Sequence, residues 1–196
     1  MARKKTYTIP TIKLRRHQEG KTNYRKRLGL LKARKPRLVV RKSLKNLLVQ
    51  LVQYQPAGDR ILASAHSHEL YKLGWKASGK NIPAAYLLGM LIAQKAKKQQ
   101  IREAVLDLGL QVSSKGSRIY AVVKGAREQG LQIPVNEEIL PSLDIVNGKV
   151  VVSYAQLLKK EKALYEKRFS GYLKHGCDPE QLGKMIQDIK NKIVKQ

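Results

Sequence analysis

One cysteine, one tryptophan and one phenylalanine are all that a chain of 196 residues contains of those three types, and its 14 acidic side chains face 40 Lys and Arg. A lone cysteine forms no internal disulfide, which excludes a scaffold stapled by bridges. Long apolar runs are missing as well. The longest stretch without a charge, Asn81 to Gln94, is fourteen residues, short of the roughly 20 that a bilayer-spanning helix requires. Arg3, Lys4 and Lys5 open the chain without the apolar stretch of a secretory leader behind them. These shortages lead us to expect a reducing, cytoplasmic setting and no membrane partner.

What the chain has is positive charge. A formal net charge of +26 makes the compact state repel itself unless a polyanion relieves it, so nucleic acid is the first partner to consider. With 42% hydrophobic residues, the chain can still bury a core and is not a disordered tail. The charge is unevenly spread, because residues 1–45 hold 17 basic side chains and one acidic one. Up to about Glu19 this segment has no sustained hydrophobic period and reads as an extended basic arm that folds on its partner. From Lys21 onward, Tyr24, Leu28 and Leu31 fall at helical spacing, with Thr22 as the expected N-cap and Arg25, Lys26, Arg27 and Lys32 on the other faces.

The body alternates strand and helix signals. Pro36 bars helix at Lys35, and Leu38-Val39-Val40 and Leu47 to Tyr54 flank a polar turn near Ser43 to Asn46, which predicts a hairpin. After the Pro56-Ala57-Gly58-Asp59 punctuation, Ile61 to Ala65 continues it as a third antiparallel strand. Arg37, Arg41 and Ser43 alternate with period two and should share one face of the sheet, a basic row on which RNA can lie. Asn81-Ile82-Pro83 starts a helix that is apolar on every side through Ala93 and therefore buried. Val105 to Pro134 reads strand, polar loop, helix from Arg118 to Gln129, and a second strand at Leu131-Gln132-Ile133, a βαβ unit that makes the sheet mixed. The last 46 residues read as helical, with Asp178-Pro179-Glu180-Gln181 capping a helix whose apolar face is Leu182, Met185, Ile186, Ile189 and Ile193. The expected fold is thus α/β: an antiparallel three-stranded meander plus a βαβ unit, flanked by helices. The expected division is a basic arm and short helix at 1–35, an α/β RNA-binding domain at 36–150, and a helical C-terminal extension at 151–196.

Three patterns suggest other chemistry. Gly74-Trp75-Lys76-Ala77-Ser78-Gly79-Lys80-Asn81 has the glycine and lysine spacing of a phosphate-binding P-loop. It ends in Asn where Mg²⁺ ligation needs Ser or Thr, and a helical turn at Glu69 to Leu73 precedes it where a strand should stand. Lys80 beside a helix start could still hold an RNA phosphate. His66 and His68 with His175 and Cys177 match no common zinc spacing and read as hydrogen-bonding residues, so no metal is expected. Asp59, Glu103 and Asp107 form no obvious catalytic pair, there is no nucleophile elbow, and Asp107 reads as a structural hydrogen-bonding residue or a sheet-edge charge. We expect no enzyme and no cofactor. A DNA-compacting protein would share the charge but show no preference for folded RNA.

Several motifs occur together in order: Thr22-Asn23-Tyr24-Arg25-Lys26-Arg27-Leu28, Lys35-Pro36-Arg37-Leu38-Val39-Val40-Arg41-Lys42-Ser43, Leu62-Ala63-Ser64-Ala65-His66-Ser67, Ala104-Val105-Leu106-Asp107-Leu108-Gly109-Leu110, Gly116-Ser117-Arg118 and Gly130-Leu131-Gln132-Ile133-Pro134. Over roughly residues 5–140 the chain resembles the large-subunit ribosomal protein eighteen family, the 5S rRNA-binding proteins, in its archaeal form. The resemblance implies a non-catalytic part of the large ribosomal subunit, in the central protuberance, that grips 5S rRNA and touches the large-subunit rRNA. The other 5S rRNA-binding protein, numbered five, would be a neighbour. Carried onto this chain, the family's arm and sheet face correspond to Arg15, Arg16, Tyr24, Arg25, Arg27, Arg37, Arg41, Ser43 and Lys45. Charge and position add Lys21, Lys35, Lys42, Lys80 and Arg118 to the expected RNA contacts.

Overall fold

The computed structural model describes residues 12–195. Two short helices, α1 (Arg15–Gln18) and α2 (Tyr24–Leu31), lead into the strands β1 (Arg37–Lys42), β2 (Leu47–Gln53) and β3 (Arg60–His66). Then come α3 (Ser67–Lys72), α4 (Ile82–Lys98), the edge strand β4 (Val105–Asp107) and α5 (Arg118–Glu128). The helices α6 (Leu143–Val146), α7 (Lys149–Leu158), α8 (Lys162–Lys174) and α9 (Leu182–Val194) follow. The sheet is mixed, in the order β3-β2-β1-β4, with β1 and β2 antiparallel, β2 and β3 antiparallel, and β1 and β4 parallel.

Register decides which side of the sheet is apolar. Leu38 lies opposite Leu51 and Val40 opposite Val49, which in turn faces Ala65, and all five are buried in one core. Because successive strand residues point to opposite faces, Arg37, Val39 and Arg41 are turned to the other side. The core face is covered by α4, whose N-cap Asn81 accepts from the Ala84 amide and whose residues Pro83 to Ala93 are all buried. A helix apolar all round needs a second layer, and α5 supplies it. The two helices cross at glycines: a methyl on Gly89 would overlap the Val122 carbonyl oxygen, and one on Gly125 that of Tyr86. At the far end of this crossing Tyr86 donates its hydroxyl hydrogen to Glu128, while the Lys190 ammonium on α9 donates to the same hydroxyl at 3.1 Å. Burial, reinforced by that carboxylate, pushes the Tyr86 phenol well above its ordinary range. The α9 face expected from the sequence is buried at Leu182, Ile186, Ile189 and Ile193, and these belong to the same core as the strands.

The hairpin, the third strand, the α4 and α5 starts and the C-terminal helix form where the pattern places them. Other details differ. The N-cap of α2 is Asn23, whose side chain accepts from the Lys26 amide, and not Thr22, which instead accepts from Arg16 Nε at 3.0 Å. The stretch expected to be extended up to Glu19 contains the single turn α1, where an Arg15–Glu19 contact of 3.5 Å spans i to i+4. The remainder of that arm, residues 1–11, lies outside the described residues. Leu131-Gln132-Ile133 makes only a one-residue parallel bridge, Gln132 with Glu103, so the parallel pair in the sheet is β1 with β4. Leu131 and Ile133 are spent on the core, and Gly130, at φ +94°, ends α5 as a left-handed C-terminal residue.

Candidate nucleic-acid interface

The side of the sheet turned away from α4 opens into a cleft of about 720 Å³. One wall is α1, α2 and the turn between them, contributing Arg16, Lys21, Lys26 and Arg27. The floor is Arg37 and Arg41 on β1, and the other wall is the loop 108–113 beyond β4. Six cations therefore line one concavity. The carboxylate that reaches into it, Asp107, is already engaged.

Arg37 is the anchor of the floor. Its side chain is 4% exposed and donates through Nη1 to Asp107 Oδ2 and through Nη2 to Asp59 Oδ2, each at 2.6 Å. A guanidinium buried this deeply needs such partners, because desolvating an unpaired charge is expensive. Alternation puts Arg37 on the outer face, as expected, and there β4 and the Asp59 turn close over it. Asp59 also takes Arg27 Nη2 at 2.9 Å, tying α2 to the sheet. Asp107 does a second job, since its Oδ1 accepts from the Gly109 amide at 2.8 Å. Gly109 sits at φ +60°, and a methyl there would press on Arg41 Nη1 at 2.9 Å. The loop continues to Gln111, whose Nε2 donates to the Val40 carbonyl at 2.8 Å. One buried carboxylate therefore fixes both the floor and a wall.

Of the expected contacts, Arg16, Lys21, Arg27, Arg37 and Arg41 come together in this cleft. Lys21 holds Glu19 at 2.8 Å. Arg15 and Arg25 are exposed, and Tyr24 is half-buried against His17 with ring centroids 6.4 Å apart. Lys35 is paired with Glu103 at the opposite end of β1. Lys42, Ser43 and Lys45 are exposed at the hairpin, where the Ser43 hydroxyl bonds both the amide and the carbonyl of Asn46 and so shapes the turn. Lys80 and Arg118 lie elsewhere, at the adjoining starts of α4 and α5, with Arg118 Nη1 donating to the Lys80 carbonyl at 3.3 Å. The sequence reading missed Lys26 as a cleft residue and the whole wall 108–113. The glycine at 109, two residues after the strand carboxylate Asp107, was the available signal for the latter.

The tempting motifs resolve into ordinary structure. Gly74 follows helix α3, not a strand, and Trp75 is buried. His66 caps α3: its Nδ1 accepts from the His68 amide at 3.1 Å while Glu69 accepts from the His66 amide at 2.9 Å, a reciprocal capping box. The two imidazoles stack at 4.7 Å. Burial, with the neighbouring His68 second, lowers the His66 pKa, and Glu69 partly opposes this. Among the described residues no three His, Cys, Asp or Glu are grouped to hold a metal ion, and no helix there is long and apolar enough to cross a membrane.

A family model described as ribosomal large subunit proteins 60S L5 and 50S L18 matches residues 10–103. That span carries α1, α2, the meander and α4, and with them all six cations of the helical wall and floor together with Asp59. Over those residues, just under half of the chain, it is similar to the ribosomal large-subunit proteins 60S L5 and 50S L18.

Proposed function

We propose that this protein binds 5S rRNA and helps attach it to the large-subunit rRNA in the central protuberance, as a non-catalytic constituent of the cytoplasmic ribosome beside the other 5S rRNA-binding protein, numbered five. The observation that carries the reading is the cleft, where six basic side chains converge over a floor already organised by Asp107. Arg16, Lys21, Lys26, Arg27 and Arg41 contact phosphates there, and Arg37 holds the surface in shape. Outside the cleft, Arg15, Tyr24, Arg25, Lys42, Ser43 and Lys45 extend the contact along the arm and the hairpin. Lys35 flanks the strand, and Lys80 and Arg118 make a separate phosphate contact on the helical side. The division at 35 and 150 is then one of labour: arm and domain hold RNA, and the C-terminal helices close the core.

Titration of transcribed 5S rRNA against an unrelated structured RNA of equal length, over a salt series, tests this. The five phosphate contacts of the cleft alone contribute about −3.5 to −4.5 to the slope of log affinity against log salt, and the contacts outside it steepen the slope further. A preference for 5S rRNA of at least tenfold that persists at high salt supports the reading. Equal affinities that collapse together refute it.

A further inference from the structure

The two sides of this cleft are chemically unlike. The helical wall and the floor carry its cations, and of these Arg16, Lys26 and Arg41 have no carboxylate partner among the described residues. The stretch 108–113 opposite them reads Leu-Gly-Leu-Gln-Val-Ser, without a charge. Two of its apolar side chains stand in water: Leu110 is 54% exposed and Val112 79%. The loop is tied down on either side of each. The Gly109 amide donates to Asp107 Oδ1 at 2.8 Å, Gln111 Nε2 donates to the Val40 carbonyl at 2.8 Å, and the Ser113 hydroxyl bonds that of Tyr120. Anchors at 109, 111 and 113 thus alternate with exposed apolar side chains at 110 and 112. Apolar groups presented to water on a fixed support, in a concavity and opposite cations, mark a contact surface.

An apolar wall offers nothing to a phosphate. It does fit the face of a nucleobase, but a double helix hides those faces in its own stack and shows a protein only phosphates, riboses and groove edges. An unpaired segment exposes them. We propose that the cleft takes an unpaired stretch of RNA, with its phosphates toward Arg16, Lys26 and Arg41 and a base packed on Leu110 and Val112. This rests on the reading that the cleft binds RNA, and adds which part of a folded RNA enters it. Size agrees, since a cleft of about 720 Å³ is on the scale of a pocket for a small organic molecule, which a base with its ribose is. The asymmetry also orients the strand, backbone to the helices and base to the loop. A second copy of this chain is the wrong occupant, because it would bring a net charge of +26 to a cleft of cations.

The test uses the full chain and transcribed 5S rRNA. The double variant Leu110→Asn with Val112→Thr keeps side-chain size and charge while removing apolar surface, and since both positions are exposed its melting should match wild type. Its affinity should be about tenfold weaker at every salt concentration with an unchanged salt slope, because an apolar contact releases no counterion. Lys26→Ala should instead reduce the slope by about one. A diazirine analogue of leucine placed at position 110 then reports the neighbour directly. The expected crosslink is to a nucleotide of 5S rRNA that 2′-hydroxyl acylation marks as unpaired in the free RNA and that becomes protected in the complex. Crosslinks confined to paired nucleotides, crosslinks to protein alone, residues 1–11 of this chain included, or no crosslink from a complex that has formed, overturn the proposal. So does wild-type affinity in the folded double variant; should that variant fail to fold, the crosslink map alone decides. If wild type prefers 5S rRNA over the control RNA while these results go against the proposal, the RNA-binding reading stands without it. If wild type shows no such preference, that reading has failed and the proposal falls with it.

Discussion

Replacing Asp107 by Asn keeps the shape of the side chain and removes the charge that faces Arg37. The two side chains are 9% and 4% exposed and 2.6 Å apart, and stripping one partner from a buried pair costs about 3–5 kcal/mol, because the other charge is left uncompensated. Arg37 retains Asp59, also at 2.6 Å, but Asp59 is 25% exposed and shared with Arg27, so the expected loss is near the lower end, about 3 kcal/mol. For a chain of 196 residues, each kcal/mol moves the melting temperature by about 2–4 °C, which gives a fall of roughly 6–12 °C. Urea unfolding should show a shifted midpoint with an unchanged slope. The double variant Arg37→Met with Asp107→Leu removes both charges and should recover most of the loss. RNA affinity should fall in Asp107→Asn even though a negative charge has left a cleft of cations, whereas plain electrostatics demands a rise. A change in stability within about 0.5 kcal/mol, the range of an unremarkable surface substitution, would refute the reasoning. So would tighter RNA binding by a protein of intact stability.

Gly89→Ala should destabilise by about 2–4 kcal/mol with little direct effect on the cleft, since the new methyl meets the Val122 carbonyl oxygen, a main-chain atom that cannot step aside; a melting temperature equal to wild type would show that α4 and α5 are not held at contact distance. The His66 cap sets a pH dependence. Its Nδ1 must be unprotonated to accept from the His68 amide, and its pKa in the folded chain lies below the ordinary 6.5. The contribution is therefore present above pH 6.5 and is lost as pH falls through the lowered value. The protection factor of the His68 amide, the intrinsic exchange rate at each pH divided by the observed one, should fall on acidification, and His66→Asn, which caps without titrating, should abolish that change; an equally strong pH dependence in the variant would refute its assignment to His66.

The legible parts of this fold are those decided by local pattern. Asn81-Ile82-Pro83 starts α4 because cap chemistry and a preset proline φ act within four residues, and the spacing of Leu182, Ile186, Ile189 and Ile193 needs only helical periodicity. Pairing across distance was not legible. Leu131 to Ile133 has the composition of a strand, yet α5 delivers it to the core with a single bridge, and β4 is the one parallel partner of β1 among the described residues. The site shows the same division. Alternation correctly placed Arg37 and Arg41 on one face, but whether an arginine is offered or buried depends on Asp59 and Asp107, 22 and 70 residues away. Charge in sequence identified the helical wall, while the uncharged wall 108–113 carries no electrostatic signal and became visible only through its geometry.

The burial of α9 in the same core as the strands sets an order of events during synthesis. The chain emerges from its N-terminus, so the basic helices and the meander are made first, while Ile193, which helps seal the core under α4, comes about 95 residues after α4 ends. At about 5–20 residues per second this interval is roughly 5–19 seconds. Throughout it the apolar side of α4 lacks its last cover while the cations of the opposite face are already available to RNA. The nascent protein thus presents a sticky surface and a strongly basic one at once, and an early polyanion contact would neutralise the second before the first is closed.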